Sequence, residues 1–142
     1  MTSTTVRDSM TENPKTIATS APVSEAAKLM AQENVGSLPV VEGDELVGIV
    51  TDRDLVVQVV ARGQDPDSVR VSDIYSERPV VASPDEPLDE ALKRMASEQV
   101  RRLPVVSEGR LVGILAQADV AREAQAESTG QMVEEISKEE SR

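Results

Sequence analysis

The chain contains no cysteine, histidine, tryptophan or phenylalanine, and Tyr75 is its single aromatic residue. Without cysteine it has no disulfide, no thiol nucleophile and no thiolate ligand for a metal ion. Without histidine it lacks the usual general base near neutral pH and the commonest metal ligand. These absences exclude many enzyme mechanisms, and we expect no catalytic residue, no metal site and no cofactor.

Basic residues are also scarce, with 15 lysines and arginines against 26 aspartates and glutamates, so that the formal charge is −11. Because like charges repel, this excess argues against nucleic-acid phosphates and anionic lipid as partners. No run approaches 18 apolar residues, and residues 1–5 are too short and polar for a signal segment. We therefore predict a cytoplasmic protein that binds neither nucleic acid nor membrane.

The dominant feature that is present is an internal repeat. Residues 6–55 align with residues 71–120 at a constant offset of 65, without a gap. The identical pairs include Pro14/Pro79, Pro22/Pro87, Met30/Met95, Leu38/Leu103, Pro39/Pro104, Gly48/Gly113 and Asp54/Asp119. Because chance does not give this density without insertions, the chain is two copies of one unit.

Each copy shows the same order of predicted elements. A short extended piece leads into a helix that starts after a proline, and an apolar hairpin then leads into a second helix. The predicted extended pieces are residues 15–18 and 80–83, the hairpin strands 38–41, 46–50, 103–106 and 111–115, and the second helices 52–62 and 117–125. The predicted fold is α/β, of the α+β type, with two β-α-β-β-α units.

One such unit leaves an apolar sheet face that it cannot cover alone. We therefore expect the two units to pack sheet to sheet about a pseudo-two-fold axis, with two equivalent clefts between them. The predicted domains are residues 1–66 for the first unit with its lead-in segment and connector, and 67–125 for the second. Residues 126–142 form a polar tail, either a weak helix or disordered.

The chemistry lies where the last strand of each copy enters its second helix. A helix start presents bare N–H groups and a positive dipole end, which favour an anion. In the first copy Thr51 adds a hydroxyl and Asp54 a carboxylate, a set suited to a phosphate and a ribose. The same spacing is equally typical of a capping box, which only closes a helix end. In the second copy Asp119 is retained but Ala116 replaces the hydroxyl.

A second difference lies before the Leu-Pro strand of each copy. Arg101 and Arg102 occupy the positions held by Gly36 and Ser37 in the first copy. Arginine suits phosphate because its planar fork donates two parallel hydrogen bonds. If the copies face each other, we expect this pair to lie across the cleft from Thr51; the alternative is a solvated pair on a surface turn.

Together these motifs resemble the cystathionine β-synthase (CBS) domain, and the tandem arrangement resembles the CBS pair, or Bateman module. The most specific part is the Gly-apolar-x-Thr-x-x-Asp stretch at residues 48–54, combined with the gap-free repeat. The resemblance covers residues 6–122. It implies two α/β units packed through their sheets, with clefts that bind AMP, ADP, ATP or S-adenosylmethionine.

The resemblance also implies roles for particular residues. The aspartate of the motif would hold ribose and the threonine phosphate, while the extended piece and the Leu-Pro strand would enclose adenine. The first site would then use Thr51, Arg53, Asp54, Val81, Val100, Arg101, Arg102 and Pro104. A second, weaker site would use Lys15, Thr16, Val35, Gly36, Ser37, Pro39 and Asp119. It is weaker because Ala116 has no hydroxyl to donate to a phosphate.

The function implied is a regulatory sensor that changes shape or oligomeric state when the nucleotide binds. The alternative is a nucleotide-free module for dimerisation or protein interaction. The resemblance further implies a homodimer, and the signal would pass to a separate protein partner or to the chain's own oligomer. The dimer contact would come from Leu55, Val56, Val59 and Val60, whose alternative role is the core of the unit.

Overall fold

A computed structural model describes residues 4–77 and 79–121 of the chain. The predicted tail at residues 126–142, and the end of the predicted last helix, lie outside the described residues. The helices are α1 (Val6–Ser9), α2 (Val23–Glu33), α3 (Asp52–Leu55), α4 (Leu88–Glu98) and a helical segment that begins at residue 117. The strands are β1 (Thr11–Glu12), β2 (Ile17–Ala18), β3 (Ser37–Glu42), β4 (Glu45–Thr51), β5 (Ser76–Glu77), β6 (Arg102–Ser107) and β7 (Arg110–Ala116).

These elements confirm the predicted fold of two α/β units. The helices α2 and α4 are each 11 residues long and begin directly after Pro22 and Pro87. Each ends at a residue in the left-handed conformation, with φ of 54° at Asn34 and 56° at Gln99. The β3–β4 and β6–β7 hairpins have matching registers and the same irregularity after the fourth residue of the first strand. The repeat in the sequence is therefore a repeat in the backbone.

One predicted strand was wrong. The extended piece at residues 80–83 forms only an isolated parallel bridge, in which Ala82 pairs with Val105. The Ala82 N–H donates to the Pro104 carbonyl, and the Ala82 carbonyl accepts from the Val106 N–H. Because Pro79 and Pro84 have no N–H to donate, the chain on either side offers little for a longer ladder.

The lead-in of each unit pairs with the other unit, which the sequence did not predict. β1 lies antiparallel to β7 of the second unit, and β5 lies antiparallel to β4 of the first. The register sets Thr11 opposite Ile114, Glu12 opposite Gly113, Ser76 opposite Ile49, and Glu77 opposite Gly48. A further pairing of Glu45 with Arg110 joins the two hairpins, so that all the strands belong to one sheet.

Glycine is required at two strand positions because the swapped segments approach so closely. A Cβ on Gly48 would meet the ring of Tyr75 and the carbonyl of Ser76, both within 2.5 Å. A Cβ on Gly113 would meet Met10 Sδ at 2.8 Å and the Thr11 carbonyl at 2.9 Å. A glycine inside a strand often marks such an approach. Both glycines therefore fix where the units join.

Each unit has its own hydrophobic core, and each core includes buried residues from the lead-in of the other unit. Val6 is fully buried in the second core, while Val69 and Val71 pack in the first. Between Glu12 and Ile17 the chain crosses from the second unit to the first, and Ile17 is buried in the first core. The division of the chain at residues 66 and 67 stays a prediction, but the packing shows that the lead-ins are exchanged between units.

The second helix of the first unit continues beyond α3 as a π-helical stretch, Val56–Val60. Val59 is only 1% exposed and belongs to the first core, and Leu55 packs against that core. For these two residues the structure therefore shows the alternative role in the core, and the contact with a second copy stays a prediction. Val56 and Val60 are 56% and 69% exposed, and Val57 is exposed beside them.

Candidate functional site

The two units enclose one continuous cleft of about 1480 Å³, into which both strand–helix junctions and both crossings of the chain open. The equivalent positions of the two units lie at the two ends of this cleft, and the presence of two ligand sites stays a prediction. The lining from the first unit includes Val35, Gly36, Ser37, Pro39, Ile49, Thr51, Asp52 and Arg53. The lining from the second unit includes Val100, Arg101, Arg102, Pro104, Ile114, Ala116, Gln117 and Asp119.

Twelve of the fifteen residues proposed from the sequence line this cleft. The exceptions are Asp54, Val81 and Thr16, which are not among the lining residues. Val80 lines the cleft instead of Val81, since the chain there is a single bridge rather than a strand. Most of the proposed residues therefore lie on the walls of one cleft, and their contact with a ligand stays a prediction.

At the first junction the structure contains the capping box. The Thr51 N–H donates to Asp54 Oδ2 at 2.9 Å, and the Asp54 N–H donates to Thr51 Oγ1 at 3.1 Å. The half-buried Asp54 carboxylate therefore closes the helix start, and its role toward ribose stays a prediction. The hydroxyl of Thr51 accepts this bond and keeps its own hydrogen for donation into the cleft.

In each unit, the residues at the start of the Leu-Pro strand contact the strand–helix junction of the same unit through their backbones. Ser37 lies beside Thr51 in the β3–β4 ladder, and the Asp52 N–H donates to the Gly36 carbonyl at 2.9 Å. A Cβ on Gly36 would lie 3.1 Å from the Asp52 carboxylate. The first end of the cleft therefore has a hydroxyl and a carboxylate over nearly bare backbone.

The second end has the same backbone with different side chains. Arg102 lies beside Ala116 in the β6–β7 ladder, and the Gln117 N–H donates to the Arg101 carbonyl at 2.8 Å. Ala116 is buried and has no hydroxyl, while Asp119 lines this end of the cleft. The arginines thus belong to the end that lacks threonine, and they line the same cavity as Thr51 from the other unit.

The cleft does not share the acidic excess of the chain. Within the described residues, its lining carries four acidic side chains, Glu33, Asp52, Glu77 and Asp119, and four basic ones, Lys15, Arg53, Arg101 and Arg102. Among the described residues, none of these four cations has an ion pair or a side-chain hydrogen bond. Unpaired cations that converge on one cavity are suited to a phosphate-bearing ligand.

The part of the lining that the sequence argument missed comes from the exchanged lead-ins. Thr11, Asn13, Pro14, Ser76, Glu77 and Pro79 all border the cleft. The signal that could have found them is the glycine inside each of the strands β4 and β7, since such a glycine suggests that another backbone lies against it.

The described residues contain no group of three or more acidic side chains arranged to hold a metal ion. In the same part of the chain, no helix has the length and apolar character to cross a membrane.

Comparison with known proteins points to one family. The sequence profile of the CBS domain matches residues 6–61 and again residues 71–126. The CBS domain-containing protein YhcV of Bacillus subtilis is 41% identical over 133 residues, which cover 93% of this chain and 94% of that protein.

Solved structures with the same fold include complexes with adenosine compounds. CBSX2 in complex with AMP has a TM-score of 0.76 and 31% identity, covering 87% of this chain and 98% of that one. The CBS domain pair of MJ0100, in complex with 5′-methylthioadenosine and S-adenosyl-L-methionine, has a TM-score of 0.74 and 29% identity, covering 89% and 99%. A hexameric CBS-CP12 protein from bloom-forming cyanobacteria has a TM-score of 0.70 and 33% identity, covering 85% and 68%.

Proposed function

The chain belongs to the CBS domain family, with two CBS domains in tandem, and we propose that it is a regulatory module that binds an adenine nucleotide in the cleft between them. The observation that carries this proposal is a set of four cations that line one cleft of an acidic protein and have no ion pair within the part of the chain that the structure describes. The complexes of CBSX2 and MJ0100 with adenosine compounds support the same ligand class.

The proposed pose assigns the parts of the nucleotide to different walls. Arg101, Arg102 and the Thr51 hydroxyl hold phosphate, since charged forks and hydroxyls donate to its oxygens. Apolar side chains that line both ends, Val35, Ile49, Val100 and Ile114, contact the adenine. Asp119 accepts from the ribose hydroxyls at the second end. The cavity exceeds the usual 300–1,000 Å³ or so of a small-molecule pocket, which leaves room for phosphates between the ends.

The proposed regulatory effect follows from differential affinity. A nucleotide that contacts walls of both units binds most tightly when the units hold one relative arrangement, and it therefore favours that arrangement. The response is then a change of shape or oligomeric state. We propose that the chain regulates in this way and catalyses no reaction.

A second candidate function is a dimerisation module that needs no nucleotide. The observation that favours it is the exposed apolar patch of Val56, Val57 and Val60 on one helix. A second copy placed on this patch would bury all three side chains, and we propose a homodimer through this surface. Dimerisation and nucleotide binding use different residues, so that both functions are compatible in one molecule.

The test is isothermal titration of the purified full chain with AMP, ATP and S-adenosylmethionine. We expect saturable binding of at least one of them, with Asp119→Ala lowering the affinity and Asp54→Ala lowering the stability because it removes the capping box. Arg62→Ala is a matched control, since Arg62 is exposed and does not line the cleft. Absence of binding for all three ligands would refute the nucleotide proposal and leave the dimerisation module.

A further inference from the structure

The first crossing between the units runs along the cleft wall. We define the strap as Met10–Lys15, which leaves the second unit and enters the first. Its β1 strand is paired with β7, and Met10 packs against Gly113. Asn13, Pro14 and Lys15 then line the cleft, and Ile17 is buried in the first core. The strap therefore connects the second unit, the ligand cavity and the first unit in six residues.

The strap is short. Four residues separate Glu12, paired with the second unit, from Ile17, paired with the first. Because an extended chain spans at most about 3.6 Å per residue, these four residues limit how far the two anchors can separate. Asn13 has φ of 53° directly before Pro14, a combination that the bulk of proline disfavours. The crossing is thus short and held in a costly conformation.

The weaker of the two anchors is β1. It has only two residues, both exposed, whereas the Ile17 side chain on the other side is 3% exposed. α1 before it is held more firmly, because Val6 is fully buried and the Val6 N–H donates to the Glu86 carbonyl. Segments with few buried apolar contacts open first in native proteins. We therefore expect the β1–β7 pairing to open before the other contacts of the strap.

Lys15 gives the strap a charge that responds to the ligand. It is exposed in the cleft, has no ion pair among the described residues, and stands where the second unit has the apolar Val80. An anion in the cleft attracts this ammonium group, and this attraction holds the strap in place along the cleft. The second crossing has no cation at the position of Val80, and Arg78 of that crossing lies outside the described residues.

We propose that the strap is a ligand-controlled connection between the units: a nucleotide phosphate that contacts Lys15 holds β1 on β7, and without it this pairing opens. The proposal rests on the proposed nucleotide function, and it adds which strand pairing responds to nucleotide binding. When the pairing opens, the edge of β7 at Gly113 and Ile114 is uncovered and the units lose one of their strand connections. The consequence is a looser joint between the units in the ligand-free protein.

Hydrogen exchange read by mass spectrometry on the full chain tests this proposal. We expect saturating ATP to slow exchange about tenfold in peptides that cover Thr11–Glu12 and Gly113–Ile114. Peptides around Ser76–Glu77 serve as an internal comparison and should change less. In Lys15→Gln, which still binds ATP at higher concentration, the protection should be lost at saturation. Lys28→Gln, an exposed lysine of α2 outside the cleft, should behave as the wild type.

The outcomes separate the two proposals. Saturable ATP binding in titration without added protection at β1 would overturn the strap and leave the nucleotide function intact. Equal protection in the wild type and Lys15→Gln would also overturn it, because the charge would then play no part. Failure of ATP to bind at all would remove the proposed ATP ligand, and the strap proposal with it.

Discussion

At the end of β4 the chain enters a helix through Thr51, whereas at the equivalent point after β7 it does so through Ala116. The first junction closes its helix with a reciprocal pair of hydrogen bonds between Thr51 and Asp54. The second lacks the hydroxyl and instead has Arg102 on the neighbouring strand. The comparison teaches that one backbone supports two different sets of donors at equivalent places, a hydroxyl in one unit and a guanidinium in the other.

The units also differ in how they attach the helix that covers the sheet. In the second unit Arg94 donates two hydrogen bonds to the Glu86 carboxylate and one to the Val81 carbonyl. The equivalent positions of the first unit hold Leu29 and Ala21, which pack against the core. In the second unit a partly exposed ion pair therefore replaces an apolar contact. As a result, the stability of the second unit depends on the ionisation of this pair, whereas the first unit has no ionisable group at the equivalent positions.

The largest expected effect concerns the glycines under the exchanged strands. Gly48→Ala places a methyl group against both the Tyr75 ring and the Ser76 carbonyl, and backbone does not yield easily. We expect it to lower the free energy of unfolding by about 3 kcal/mol. Gly113→Ala should cost about 1–2 kcal/mol, since it presses on the flexible Met10 and meets the Thr11 carbonyl less closely. Urea unfolding measures both, and an equal or reversed order would break this comparison.

The next effect concerns the capped junction. Thr51→Ala makes the first junction resemble the second by removing the hydroxyl that accepts from the Asp54 N–H. We expect a loss of about 1 kcal/mol in unfolding free energy, as for other N-cap threonines. Thr51→Ser is the matched control, because it keeps the hydroxyl and should lie close to the wild type in the same thermal unfolding measurement.

The ion pair predicts a dependence of stability on pH. Burial raises the pKa of Glu86, but the hydrogen bonds from Arg94 and from the Ser83 N–H outweigh it and hold the pKa below its usual 4.5. The stabilisation is therefore full above about pH 4.5 and is lost as the pH falls through the lowered pKa.

Replacement of the pair by the residues of the first unit tests this dependence. We expect Glu86→Ala/Arg94→Leu to differ from the wild type by about 1 kcal/mol at pH 7, in either direction, since partly exposed pairs contribute little. The difference should shift in favour of the variant when thermal unfolding is repeated below pH 4. A difference that is constant from pH 7 to pH 3 would contradict the assigned role of Glu86.

The smallest effect concerns the residues that end α2 and α4. Gln99 has φ of 56°, which favours glycine, and Gln99→Gly should stabilise the protein by about 0.5–1 kcal/mol. Asn34→Gly should gain only a few tenths of a kcal/mol, because asparagine tolerates this conformation better. Unfolding of the ligand-free variants in urea measures both. A larger gain at Asn34 would reverse the expected ranking.

Much of the fold could be predicted because its signals are local or repeated. The helices after Pro22 and Pro87 follow from apolar spacing, and the hairpins from short apolar runs around a turn. The exchange of the lead-in strands could not be predicted, since two-residue strands such as Thr11–Glu12 carry no periodicity. Their pairing depends on contacts about 100 residues apart in sequence. The local signal that remained was Gly113 inside a strand, which does not identify its neighbour.

The candidate site was predictable to the level of its walls. Most of the proposed residues line the cleft because the repeat fixes which strand ends meet. The role of Asp54 stays a prediction, because one pattern, Thr51 followed by an acid three residues later, serves both capping and ligand contact. The part of the lining that comes from the crossings could not be predicted in full, because the course of the chain at Lys15 and Val80 depends on the exchanged strands.

The central claim is that unpaired arginines of the second unit hold the phosphates of a nucleotide, and titration of Arg102→Ala with ATP and with adenosine tests it most directly. We expect ATP to bind about tenfold more weakly to the variant than to the wild type, while adenosine changes little. Ser37→Ala, the equivalent position of the first unit, is the control and should leave both affinities within about threefold. An equal loss for ATP and adenosine in Arg102→Ala would contradict the assignment of phosphate to this end of the cleft.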